Sequence, residues 1–133
     1  MIPPFDEQGY LPPGIHAATF EELESRFGGP SELRHVQLES LRWLIELTRR
    51  LGVARLVVNG SFATDQWEPN DVDCVLLPSQ DFPRDPNALQ ELDLGFPFLD
   101  IEVVDSEAFD RLTGQTFATD RLGVRKGMIE VLL

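Results

Sequence analysis

The sequence predicts an α/β (α+β) fold, a small mixed β-sheet with helices packed on it, and three observations carry that expectation. Residues 31–51 repeat apolar side chains at helical spacing. Short runs at 53–58, 71–77 and 97–104 read as strands. The two kinds of segment are interspersed at distances that suit a helical layer on a sheet. At 133 residues the chain has the length of one ordinary core, so the expectation is a single domain over 1–133 with a Pro-rich N-terminal arm over 1–18.

Taken in order, MIPPFDEQGYLPPGI carries four prolines and two glycines, which disfavour helix and predict an extended or turn-rich arm that wraps the core without belonging to it. Thr19 followed by Glu22 is a capping-box pattern. It opens a short helix, FEELESRF, which Gly28-Gly29-Pro30 ends. From Ser31 to Leu51 the side chains of Leu33, Val36, Leu41, Leu44, Ile45 and Leu47 or Leu51 fall on roughly one helical face, and Gly52 stands where that helix stops. VARLVV, residues 53–58, is a buried-strand pattern bounded by glycines. A second strand is expected over Asp71–Leu77, one or two helical turns over Asn87–Leu94, and a third strand over Pro97–Val104. A helix capped by Ser106 follows over Ser106–Leu112, and a last strand over Gly127–Leu133.

Charge and composition narrow the function. With 23 acidic against 11 basic residues the formal net charge is -12, so the chain lacks the broad basic face that extended duplex nucleic acid requires. An acidic surface serves solubility, a basic protein partner, or a small anionic ligand whose charge is offset by metal ions and a few local donors. Cys74 is the lone cysteine, which excludes an intrachain disulfide. No apolar run is long enough to span a bilayer, and the expected location is the cytoplasm.

The chemistry concentrates in VVNGSFATDQWEPNDVDCVLL, residues 57–77. A strand leads into Gly60-Ser61, and after a nine-residue gap Asp71-Val72-Asp73 opens the next strand. Alternate residues of a strand share a face, so Asp71 and Asp73 are expected to project together. Adjacent carboxylates repel, and a divalent cation with oxygen ligands satisfies both. Asp-x-Asp alone also serves as a pair of solvated acids at a strand end, and Gly-Ser alone as an ordinary turn. Their combination is an arrangement in which backbone N–H groups can face a triphosphate beside its metal ions.

Gly60-Ser61 followed by Asp71 and Asp73 resembles the signature of the DNA polymerase beta-like nucleotidyltransferase superfamily. The opening MIPPFDEQGYLPPGIH, the core NGSFATDQWEPNDVD and the closing RKGMIEVLL also resemble small minimal-nucleotidyltransferase-like proteins of bacteria and phages. The resemblance implies that the Gly-Ser turn contacts phosphates and that Asp71 and Asp73 bind Mg2+ or Mn2+. It also implies a third carboxylate on PFLDIEVV, where Asp100 is the first choice and Glu102 the alternative. What it implies for function is metal-dependent transfer of a nucleoside monophosphate from a nucleoside triphosphate to a protein, an RNA end or a small molecule, as one half of a toxin–antitoxin pair in some such proteins. The acceptor would then be brought by a protein partner or a homodimer mate. The alternative is a non-catalytic module of the same fold whose acidic surface binds a basic protein.

The sequence departs from the superfamily pattern at Phe62-Ala63-Thr64-Asp65. A glycine common four residues after the serine is missing there, and Asp65 is expected to put negative charge near the phosphates. Of the remaining residues, Lys126, beside Arg125, is a candidate phosphate ligand. Phe62 and Trp67 would stack on a base or pack in the core or a lid. Cys74 points away from Asp73 as a core thiol, and His16 and His35 lack the spacing of metal ligands.

Overall fold

The structure, a computed structural model, describes residues 2–133. Strand β1 (Gly14–Ala18) leads through Thr19 into helix α1 (Phe20–Phe27) and then into the long helix α2 (Glu32–Leu51). Strand β2 (Val53–Asn59) follows, then one 3-10 turn (Ser61–Ala63) and β3 (Val72–Pro78). The remaining elements are α3 (Pro86–Leu94), β4 (Leu99–Val103), α4 (Ser106–Arg111) running into a wider helical turn (Leu112–Thr116), and β5 (Gly127–Val131). Among the described residues these five strands make one open mixed sheet in the order β1-β5-β2-β3-β4. Strands β1/β5 and β3/β4 are parallel, and β5/β2 and β2/β3 are antiparallel.

Local chemistry explains most of these boundaries. Thr19 and Glu22 form the expected reciprocal capping box, Ser31 caps α2 by accepting from the Arg34 amide, and Gly52 ends α2 in the left-handed region at φ 81°. Strand alternation then sorts the sheet's two faces. Leu56, Val58, Cys74, Leu76, Ile129 and Val131 join the main core with Leu38, Leu41, Leu44 and Leu51 of α2, whereas Val57, Val75 and Met128 pack with Phe109 of α4 on the reverse face. Burying each such aliphatic side chain contributes roughly 1.5–3 kcal/mol, which makes the α2 stripe the principal anchor of the sheet.

Several sequence expectations are corrected. The N-terminal segment belongs to the core: Leu11 is fully buried, Ile2 and Ala18 are buried, and residues 14–18 pair with β5. The prolines masked this strand, because Pro12 and Pro13 stop just before the pairing begins and leave five residues with free N–H groups. On α2, Val36 is 47% exposed and Leu38 takes the inward position, flanked by buried Arg34 and Gln37. Asp105, not Ser106, caps α4, since its carboxylate accepts from the Ala108 amide at 2.8 Å. On β4, Leu99 and Ile101 pack on the core, but Val103 at the outer strand's end is exposed. The second strand begins one residue later than expected, at Val72, whose N–H donates to the Phe98 carbonyl. Asp71 therefore stands outside the strand and exposed.

Candidate functional site

At the end of β2 the backbone turns through Gly60 at φ 79° and ψ -164°, a conformation that essentially only glycine adopts. A Cβ built there would collide with the carboxylate of Asp73 on β3. The glycine thus serves both the sharp turn into Ser61–Ala63 and the close approach of backbone to carboxylate. Asn59, the residue before it, is the register partner of Asp73 across the β2/β3 pair, and Asp100 is its register partner across β3/β4. The three side chains lie side by side on one sheet face. Glu102 follows on the same face of β4, opposite Val75.

Negative charge outweighs positive in this corner. Burial pushes the Asp73 carboxyl above the usual carboxylate range, the negative charges of Asp100, Asp71 and Glu102 push it further, and Lys126 alone opposes them. Asn59 is 2% exposed, and its side-chain oxygen has no hydrogen-bond partner among the described residues. A half-buried carboxylate among acids, beside an orphaned amide oxygen, is a donor set that fits a hard divalent cation. Asp73 and Asp100, abreast in register, are the residues that could hold such an ion, with Asp71 just outside the strand. Among the described residues no group of three His, Cys, Asp or Glu side chains stands already gathered into a ligand cluster.

Asp73 also borders a polar cleft of about 690 Å3, lined by Ser61, Thr64, Asn70, Asp120, Arg121 and Lys126 among others. The structure therefore brings the expected Ser61, Asp73 and Lys126 to one cavity. Asp100 and Glu102 line a smaller adjoining recess of about 110 Å3 that shares Asp73 with the cleft. Register distinguishes the two acids: Asp100 is aligned with Asp73, whereas Glu102 is one pleat further away.

Residues 3–132 match the model of a family of unknown function, DUF6932. The chain belongs to that family. No curated protein and no solved structure matches it.

The DUF6932 cleft depends on residues that sequence reasoning did not single out. Arg34 of α2 is buried, and its guanidinium donates to the carbonyls of Phe62 at 3.1 Å, Thr64 at 3.0 Å and Gln66, so the segment after the Gly-Ser turn is tied to the helix. Gln37, one turn on, donates to the Pro69 carbonyl at 2.6 Å. A charged and an amide residue on the buried stripe of an otherwise leucine-rich helix was the available signal. On the opposite side Tyr10 donates to Asp120 at 2.7 Å, and nothing in the local pattern of either residue announces that pairing.

The remaining singled-out residues do not line the cleft. Asp65 lines a separate groove with Phe5, Arg34 and Trp67, its carboxylate lies against Gly9, and it does not line the cleft. Trp67 borders that same groove, and Phe62 is buried against Phe27 with ring centroids 5.5 Å apart. Neither lines the cleft as a base-stacking surface. Cys74 is a core thiol whose burial raises its pKa. His16 Nε2 and His35 Nε2 each bond a backbone carbonyl at 2.7 Å. No helix among the described residues is long and apolar enough to cross a membrane.

Proposed function

We propose that this protein is a cytoplasmic nucleotidyltransferase with the polymerase beta-like fold, moving a nucleoside monophosphate from a nucleoside triphosphate to an acceptor hydroxyl. The observation that carries the reading is the Gly60 turn closed against Asp73, with Asp100 in register beside it and a cleft running from Ser61 to Lys126. Such a corner would let the Gly-Ser turn meet phosphates while Asp73, backed by Asp100 in the adjoining recess, meets their metal ion. That is the division of labour a metal-bound triphosphate needs.

Asp73 and Asp100 would hold Mg2+ or Mn2+, with Asp71 contributing from the flank. When bound, the ion supplies a lowered pKa for the attacking hydroxyl and neutralises charge at phosphorus. Ser61 donates to a phosphate oxygen, and Lys126 offsets charge on the leaving pyrophosphate. The acceptor oxygen bonds to the α-phosphorus as the bond to pyrophosphate breaks, and the hydroxyl proton passes to Asp100. The acceptor is a protein, an RNA end or a small molecule.

Calorimetric titration of each ribonucleoside triphosphate with Mg2+ or Mn2+ tests the reading. Binding should require the metal and be lost in an Asp71→Asn, Asp73→Asn double variant. No binding to any triphosphate would overturn it and leave an acidic, non-catalytic module for a basic protein partner as the better account.

A further inference from the structure

The cleft has two electrically different ends. Asp73 stands at one of them, with Asp100 behind it in the adjoining recess. The other is formed by the loop between Thr116 and Gly127, which carries Arg121 and Lys126. In a chain of net charge -12 with eleven basic residues, two cations bordering one cavity are a marked local concentration, and among the described residues neither side chain is committed to an ion pair.

This loop is built to present them. Its turn is closed by Asp120: one carboxylate oxygen accepts from the Leu122 and Val124 amides, both at 2.9 Å, and the backbone closes with Asp120 N–H to the Val124 carbonyl at 2.9 Å. The second carboxylate oxygen accepts from the Tyr10 hydroxyl at 2.7 Å. Both oxygens of Asp120 are thus occupied, so the acid next to Arg121 serves the turn and does not pair with the guanidinium. Further along, the Lys126 N–H donates to the Ala118 carbonyl at 2.8 Å, fixing the start of β5. Tyr10 is itself anchored to the opposite wall, since it forms an isolated antiparallel bridge with Thr64, where the Asp65 N–H donates to the Gly9 carbonyl at 2.9 Å. One N-terminal residue therefore ties the wall bearing Ser61 to the wall bearing Arg121.

We propose that Arg121, together with Lys126, grips the terminal phosphates of a triphosphate, and that Tyr10 is a positioning residue that holds the Arg121 turn at the correct distance from Ser61 through Asp120. This rests on the nucleotide-binding reading of the cleft and adds which residues recognise the tail of the triphosphate. Arg121 is exposed on a loop whose closure is made by Asp120 and not by its own side chain, so Arg121→Gln leaves the fold intact. A guanidinium offers planar, paired donors to phosphate oxygens, so the contact should discriminate by phosphate number and not by base.

The probes are inorganic tripolyphosphate and orthophosphate, each with Mg2+, titrated calorimetrically into the full chain beside the nucleoside triphosphates. Wild type should prefer tripolyphosphate to orthophosphate. Arg121→Gln should lose about tenfold in tripolyphosphate and triphosphate affinity while keeping its weak orthophosphate binding and its melting temperature. Tyr10→Phe should lose a few-fold on the same two ligands, and Arg121→Lys should recover part of the loss. Triphosphate binding that depends on Asp73 but is unchanged in Arg121→Gln would overturn the clamp alone. An equal loss in Arg121→Gln for tripolyphosphate and orthophosphate would also overturn it, showing a general charge effect. No triphosphate binding by wild type would overturn both the clamp and the nucleotide reading.

Discussion

At the scale of single residues Gly60 avoids a steric conflict and Asp73 carries an electrostatic one, and both effects are testable. Gly60→Ala places a Cβ against the Asp73 carboxylate in a backbone region that side chains avoid, so it should cost about 1–3 kcal/mol in urea denaturation and abolish triphosphate binding. A loss below the error of the measurement would mean that the turn relaxes freely. Asp73 behaves oppositely. Its folded carboxyl lies above its unfolded value, so its contribution to stability is fully present below the unfolded pKa, near 4, and is lost as pH rises through the folded pKa. In metal-free buffer Asp73→Asn should therefore melt higher than wild type at pH 7, with the advantage shrinking towards pH 4, and Mg2+ should raise the melting temperature of wild type only. A variant that melts lower than wild type at pH 7 would show that Asp73 is compensated in a way the surrounding acids do not suggest. These residues were legible early because a Gly-Ser turn and spaced carboxylates leave a pattern in the chain. Asn59 was not, since a lone asparagine at a strand end acquires meaning only when its register partner is known to be Asp73.

Among the elements, α2 is both the main support of the core and the holder of the site. Its leucine stripe was readable from periodicity, but the inward turns of Arg34 and Gln37 were not, because polar side chains count against a buried face until their acceptors are located. Those acceptors are carbonyls of the 3-10 turn and the loop after it, which no strand ladder takes up. Arg34→Met should accordingly cost about 2–4 kcal/mol and make the bonds around residues 62–67 the first cut in limited proteolysis. Arg34→Lys should recover little, since an ammonium cannot span three separated carbonyls. Unchanged proteolysis in Arg34→Met would show that the segment is held by Phe62 packing alone. The strands tell a similar story. Asp71 was expected on the strand and lies before it, because pairing with β4 begins at Val72. Asp100 gained a definite partner from the same register.

Over the whole molecule, the N-terminal segment decides whether the sheet has its full width. Ile2 and Leu11 sit in the main core and β1 covers the outer side of β5, so deleting residues 1–18 should expose β5 as an edge and leave the product insoluble or unfolded by circular dichroism. A soluble, cooperatively melting truncation would restore the expectation of a dispensable arm. The sequence by itself determined the class of fold, the caps of α1 and α2, the strand leading to Gly60-Ser61 and the candidacy of Asp73. Those features rest on local propensity, periodicity and turn chemistry, which act within a few residues. The tertiary structure alone decided that residues 14–18 form a strand, that Asn59, Asp73 and Asp100 stand abreast, and that Tyr10 reaches Asp120 across 110 positions of chain. Such contacts depend on how strands are ordered and registered in the sheet, and neither partner's neighbours in the sequence carry any trace of the other.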